Sequence, residues 1–251
     1  MFKIKFFFLF LIFSFLFLGF SLEVFYPKGL KKTVAFFLPE KTRVPQDVQW
    51  AKDYTFDNKE KIFYLHEEGE MKYSSIKELS TNLKKVKKKN PKSFVASLKK
   101  ARVLRKDGEV ITKDEAVFLD SVYQSTDKIK ENELLKKWFL PPYQYRSDKV
   151  AVIASGAYNC YYHWMVEVLP RLELIRQSGL SFDKLYAPEL IRPFQRDSLS
   201  VLGIKESDLL EAEKNTHVMP EELIVTSLPT IAIEEGREEF RGMAVPKWVV
   251  E

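Results

Sequence analysis

Between Lys149 and Pro229 the chain alternates between two kinds of pattern. KVAVIAS (149–155) is a continuous apolar run, as expected of a strand buried on both faces. Gly156 marks a turn, and a helix pattern then extends to about Gln177, closed by Ser178-Gly179. FDKLYAP supplies a second strand, and RPFQRDSLSVLG a second helix with Pro193 near its start and Gly203 after its end. SDLLEAE reads as a short helical turn, and ELIVTSLP as a third strand. Strand, helix, strand, helix, strand predicts an α/β fold with a parallel sheet covered by helices, part of a doubly wound sheet.

Upstream, ARVLRKDGEVIT predicts two short strands around Asp107-Gly108, a strong local hairpin signal. AVFLDSVY continues as a third strand, and Glu131–Phe139 as a helix ended by Pro141-Pro142. These segments open an α/β domain at 101–251, in which a small β-hairpin or mixed region precedes the parallel sheet. Residues 23–100 are charged and weakly periodic, with a short exposed helix expected over Ile76–Lys89. Lys84, Lys85, Lys87, Lys88, Lys89 and Lys92 supply much of the formal charge of +5. Such a run is ordinarily a solvated face or linker, and with an export segment in front of it a nucleic-acid partner is not expected.

That export segment is residues 1–22. Two lysines precede an uncharged, Phe- and Leu-rich run from Phe6 to Leu22, the layout of a signal peptide or a short signal anchor. It predicts an N-terminal hydrophobic helix and a membrane-associated or exported protein. A single cysteine, Cys160, excludes an internal disulfide framework.

Ligands of open α/β sheets bind outside the carboxyl ends of the strands, and YNCYYHWMVEVLPRL (158–172) begins just past the first of these ends. On a helix, His163, Glu167 and Arg171 share one face, flanked by apolar rows that contain Tyr162 and Trp164. Pro170 cannot donate to the carbonyl of Val166, so a kink or break is expected there. Glu167 or His163 would serve as a general base toward an attacking hydroxyl. The same spacing also suits two metal ligands, and Cys160 with His163 a nucleophile and base. An ordinary Glu167–Arg171 ion pair beside a hydrogen-bonded core histidine accounts for the same residues without chemistry.

The pattern Gly156, Asn159, Tyr161, Tyr162, His163, Trp164, Glu167, Leu169, Pro170, Arg171, Leu172 resembles glycosyltransferase family 61. So do Phe194, Gln195, Arg196, Leu199, Leu202, Gly203 and Ile204 downstream, the 101–112 hairpin and ELIVTSLP. The likeness runs from about residue 101 to 230. It implies an inverting enzyme of GT-B type, in which two Rossmann-like domains face a cleft and no metal or other cofactor is needed. A sugar would pass from a nucleotide-sugar donor to a hydroxyl of a glycan acceptor. His163 and Glu167 would be base and base-orienting partner, in either order. Arg171 would position Glu167, Asn159 and Tyr162 would bond the acceptor, and Trp164 would offer a face to a sugar. The family's nucleotide-binding half is expected to begin near Val245–Glu251, where this sequence stops. A C-terminally truncated domain of this kind would need a separate partner chain for donor binding. The alternative is a glycan-binding remnant without catalysis.

Overall fold

The computed structural model describes residues 37–57, 59–67, 69–70, 89–90, 92–121, 132–234 and 241–250. The expected N-terminal apolar helix, the Ile76–Lys89 helix and most of the lysine run lie outside the described residues. No helix among the described residues is long and apolar enough to cross a membrane.

Ten strands form one mixed sheet. In chain order they are β1 (Asp47–Gln49), β2 (Lys61–His66), β3 (Ser93–Leu98), β4 (Arg102–Leu104) and β5 (Glu109–Ile111). They continue with β6 (Ala116–Phe118), β7 (Gln144–Val152), β8 (Lys184–Pro188), β9 (Leu209–Ala212) and β10 (His217–Thr226). Their spatial order is β1-β6-β5-β4-β10-β7-β8-β9, and β3 pairs with both β10 and β2. Short helices α1 (Glu133–Lys136), α2 (Leu169–Ser178), α3 (Pro193–Val201) and α4 (Lys247–Val250) complete it. The molecule is therefore an α/β protein with a large mixed sheet and few helices.

The four strands β10-β7-β8-β9 are mutually parallel. The first half of β10 pairs antiparallel with β4 and its second half antiparallel with β3, with a bulge between Pro220 and Glu222. The parallel sheet expected from the sequence is thus the core of a wider mixed one. Its central strand explains its apolar run. Val150, Val152 and Ala154 enter one hydrophobic cluster and Ala151 and Ile153 another, so neither face has room for a polar residue.

The two faces are covered differently. Trp164, Val168, Leu174, Ile175 and Leu199 pack on Ala151, Ile153, Leu185, Ala187 and Ile224, forming a helical layer. The opposite face meets Val103, Val110 and Phe118 from the hairpin strands, together with Tyr54 and Phe94. Helices therefore cover one side and strands the other, which departs from the expected helical cover.

Three local expectations are corrected. SDLLEAE is not a helical turn but a 3-10 turn at Glu206–Asp208 running into β9, because Leu209–Ala212 gains a parallel partner in Leu185–Pro188. The helix over Glu131–Phe139 is confined to the single turn Glu133–Lys136, capped by the Asn132 side chain on Leu134 N–H. The boundary at 101 does not divide the fold. β3 is buried throughout and β2 and β1 join the same sheet, so residues of the 23–100 region supply part of its core.

The hairpin turn is in place, with Gly108 at φ 70° between β4 and β5. It also touches the parallel core: a Cβ at Gly108 would fall 2.7 Å from both Cβ and O of Ala154. A second contact ties the turn at Arg105–Gly108 to the neighbouring strand β8, where Tyr186 Oη donates to Arg105 O at 2.9 Å.

Candidate functional site

The strand order places β8 and β9 on one side of β7 and β10 on the other. At such a reversal the connections leave adjacent strands in opposite directions, and a crevice opens at their carboxyl ends. Here those ends are Ala154 and Ser155, just past β7, and Thr226 to Thr230, at and after the end of β10. The helical stretch with the sequence-singled residues starts six residues beyond Ser155, at Tyr161.

That stretch is not a uniform α-helix. An α-turn at Tyr161–His163 passes into a π-helical segment, Trp164–Val168, and then into α2. Leu169 N–H donates to Trp164 O, five residues back. Pro170 explains the change, for it has no N–H to give to Val166 O. It stands in the first turn of α2, where the missing donor costs nothing, and the wide turn before it absorbs the mismatch. The kink expected at Pro170 is realised as this π segment.

The wider turn alters which side chains meet. His163 Nδ1 lies 3.3 Å from Glu167 Oε2. The Glu167 side chain is wholly buried, whereas that of His163 keeps 24% of its surface. Glu167 Oε1 accepts a 3.0 Å hydrogen bond from Thr230 Oγ1 in the loop after β10. One carboxylate oxygen is thus tied to the loop and the other faces the imidazole.

Arg171 does not join this group by hydrogen bond, which corrects the expected ion pair with Glu167 and the positioning role drawn from it. Its guanidinium donates to Ala154 O at 3.0 Å and to Ser121 O at 2.8 Å, fully buried. It links the end of β7 to the turn after β6. Burial pulls its pKa down to about 10, and the neighbouring charge of Glu167 opposes the fall. Arg171 therefore stays a cation at neutral pH, sealed from solvent. Its Nε, Ser155 Oγ and Glu167 Oε2 are buried with no hydrogen-bond partner among the described residues.

Trp164 is likewise corrected as a sugar-stacking residue. It is fully buried, its indole N–H donates to Ser198 Oγ at 2.8 Å, and its ring packs edge-on to Phe194. Tyr162 and Asn159 are exposed. The Tyr162 ring meets His163 edge-on at 5.6 Å, and burial together with the Glu167 charge raises its hydroxyl pKa. Tyr161 is 60% exposed and packs on Phe194. Tyr158 is buried, its carbonyl accepting from Gln195 Nε2 at 2.9 Å, and Cys160 is exposed.

Thr230 and the two carbonyls bound by Arg171 escape a reading of the sequence. Thr230 stands 63 residues from Glu167, and its one signal is position, a small hydroxyl residue just past the carboxyl end of a parallel strand. No group of three or more His, Cys, Asp or Glu able to hold a metal ion occurs among the described residues. No family model, curated protein or solved structure matches the chain.

The dyad offers acid–base chemistry. The 3.3 Å contact is an ion-pair distance and not an aligned hydrogen bond, since Glu167 Oε2 has no hydrogen-bond partner among the described residues. A turn of the imidazole that brings Nδ1–H onto Oε2 would favour the tautomer whose Nε2 keeps its lone pair as a proton acceptor. Glu167, being wholly buried, cannot meet a substrate itself.

Proposed function

We propose that this protein is a glycosyltransferase in which His163 is the general base and Glu167 orients it. The observation that carries this is the burial difference across the 3.3 Å contact: the imidazole is part-exposed and the carboxylate is sealed. Of the two role assignments that the family 61 resemblance leaves open, only this one lets the base touch an acceptor. The position at the reversal of strand order favours a ligand site there. Tyr162, exposed against the His163 ring, and Asn159, exposed on the turn before the helix, would bond the acceptor. The parallel strands β10-β7-β8-β9 would be the sheet of a Rossmann-like, acceptor-side half of a GT-B enzyme.

In the step proposed, an acceptor hydroxyl oxygen attacks the anomeric carbon of a nucleotide sugar. The bond from that carbon to the phosphate oxygen breaks, and the nucleotide leaves with the electron pair. The hydroxyl proton passes to His163 Nε2, and inversion follows from single displacement. The charge of the leaving diphosphate would be met by donor-side groups beyond those described, in the same chain or a partner. The apolar N-terminal run would hold the enzyme at a membrane.

The test is acceptor-dependent release of nucleotide from UDP- and GDP-sugars, with glycans extracted from the cells that make the protein. His163→Ala should lower the rate by about 10²–10⁴-fold, the usual worth of a positioned base. Undiminished release from His163→Ala, or none from the unaltered protein, would defeat the assignment.

A further inference from the structure

We infer that Thr230 is the positioning residue of the His163–Glu167 pair, acting through the carboxylate and touching no substrate. The inference takes His163 as base from the function proposed above, but the positioning itself is a property of the resting protein.

Glu167 comes from a single π-helical turn, an irregularity of a kind often found at functional sites. Its side-chain hydrogen bond comes from outside the helix. Thr230 Oγ1 donates to Oε1 at 3.0 Å, and both residues are buried. With Oε1 engaged, rotation about the carboxyl bond is blocked and Oε2 is left toward His163 Nδ1.

The loop that carries Thr230 is itself anchored at two places. Ser227 and Phe94 exchange hydrogen bonds, N–H of Ser227 to O of Phe94 at 3.0 Å and N–H of Phe94 to Oγ of Ser227 at 3.1 Å. Leu228 N–H donates to Asp120 O at 2.7 Å. Asp120 adjoins Ser121, whose carbonyl is held by Arg171, one helical turn beyond Glu167. The loop, the turn after β6 and the helix are thereby closed into a ring of contacts around the carboxylate. A hydroxyl donor in that frame fixes the acceptor's orientation to within the tolerance of one hydrogen bond.

The chemical consequence concerns the imidazole tautomer. A neutral imidazole in water prefers its proton on Nε2, whereas a carboxylate oxygen fixed 3.3 Å from Nδ1 favours the Nδ1–H form, with the lone pair on Nε2. Thr230 would thus decide whether Nε2 is a base at all.

The experiment uses the full chain, selectively ¹⁵N-labelled at its three histidines. Two-bond imidazole spectra are recorded where His163 is neutral, assigned by loss of its signals in His163→Ala. The unaltered protein should show His163 as Nδ1–H. Thr230→Val, which keeps the shape and removes the hydroxyl, should shift it mainly to Nε2–H, and Thr230→Ser should restore Nδ1–H. Unchanged far-UV circular dichroism separates this from misfolding. An Nδ1–H signal as strong in Thr230→Val as in the unaltered protein overturns the inference, as does an Nε2–H form in the unaltered protein.

The transfer assay adds a kinetic split. Thr230→Val should lose about 100-fold in kcat with KM unchanged, the cost of misplacing a catalytic group by about an ångström, and Thr230→Ser should recover most of it. Full kcat in Thr230→Val alongside a dead His163→Ala would sink Thr230 alone. Activity in His163→Ala would sink the base assignment and leave the tautomer result to decide the positioning.

Discussion

Replacing Arg171 by Met tests whether the buried guanidinium holds the floor of the site together. Methionine has comparable length and no charge, so it removes the interactions and leaves little void. Two buried carbonyls, Ala154 O and Ser121 O, lose charged donors at 3.0 and 2.8 Å. An acceptor left unpaired in the interior costs about 1–3 kcal/mol. The wholly buried Glu167 loses its neighbouring positive charge as well. Two orphaned acceptors alone put the expected cost at about 2–6 kcal/mol, and the lost neighbouring charge adds to it. Against a typical total of about 5–15 kcal/mol, the variant should be severely weakened but measurable. Urea unfolding at pH 7.5, followed by far-UV circular dichroism, gives the difference, and an unchanged slope shows that the unfolded state is the same. Arg171→Lys, with one ammonium in place of a planar fork, should fall between. Adding Glu167→Gln to Arg171→Met should recover part of the loss, the part due to the uncompensated carboxylate. A difference within about 0.5 kcal/mol for Arg171→Met, the range of ordinary surface changes, would refute the account.

Two further outcomes concern the fold. His217 is buried, its Nδ1 2.6 Å from Pro141 O, and burial lowers its pKa to about 4. The unfolded chain, with a histidine near 6.5, therefore takes up the proton first, so stability is complete above about pH 6.5 and falls as pH drops toward 4. That fall amounts to about 3 kcal/mol and should be missing from His217→Asn, as urea unfolding at several pH values would reveal. Gly108→Ala and Gly179→Ala both place an alanine at φ 70°, costing about 1–2 kcal/mol each. Only at Gly108 does the new Cβ also meet backbone, the Ala154 carbonyl, so thermal denaturation should show it about 1–3 kcal/mol the worse of the two. Equal losses would mean that the turn moves freely off β7.

What could be read ahead of the structure follows from the range of the forces involved. β7, β8 and the second half of β10 announce themselves because a strand buried on both faces needs an apolar run, and Gly179 at φ 70° caps its helix as the sequence suggests. The Asp107-Gly108 turn is equally local. β9 was hidden, since Leu, Glu and Ala favour a helix in isolation and only the partner strand β8 overrides them. β3 was hidden too: SFVASL looks unremarkable between lysine-rich flanks, yet every residue in it is buried. At the site, the His163–Glu167 spacing was legible because a contact four residues apart is a property of the helix. Arg171 followed the same spacing on paper, but the π segment before Pro170 and the waiting carbonyls of Ala154 and Ser121 gave it other partners. Thr230 depends on how the sheet is wound, which no local pattern encodes.

The placement of β3 has a consequence for how the chain comes to be made. Its residues Val95 to Leu98 pair with Leu223 to Thr226, and Phe94 meets Ser227, a partner 133 residues later in the sequence. At a synthesis rate of about 5–20 residues per second, a strand of this kind waits on the order of 7–27 s for its partner to be made. During that interval SFVASL is an apolar segment whose backbone groups are only partly matched, since β2 can cover one edge while the other stands open. A nascent chain in that condition is a client for a chaperone, and the charged stretches on either side of it act as gatekeepers until β10 arrives.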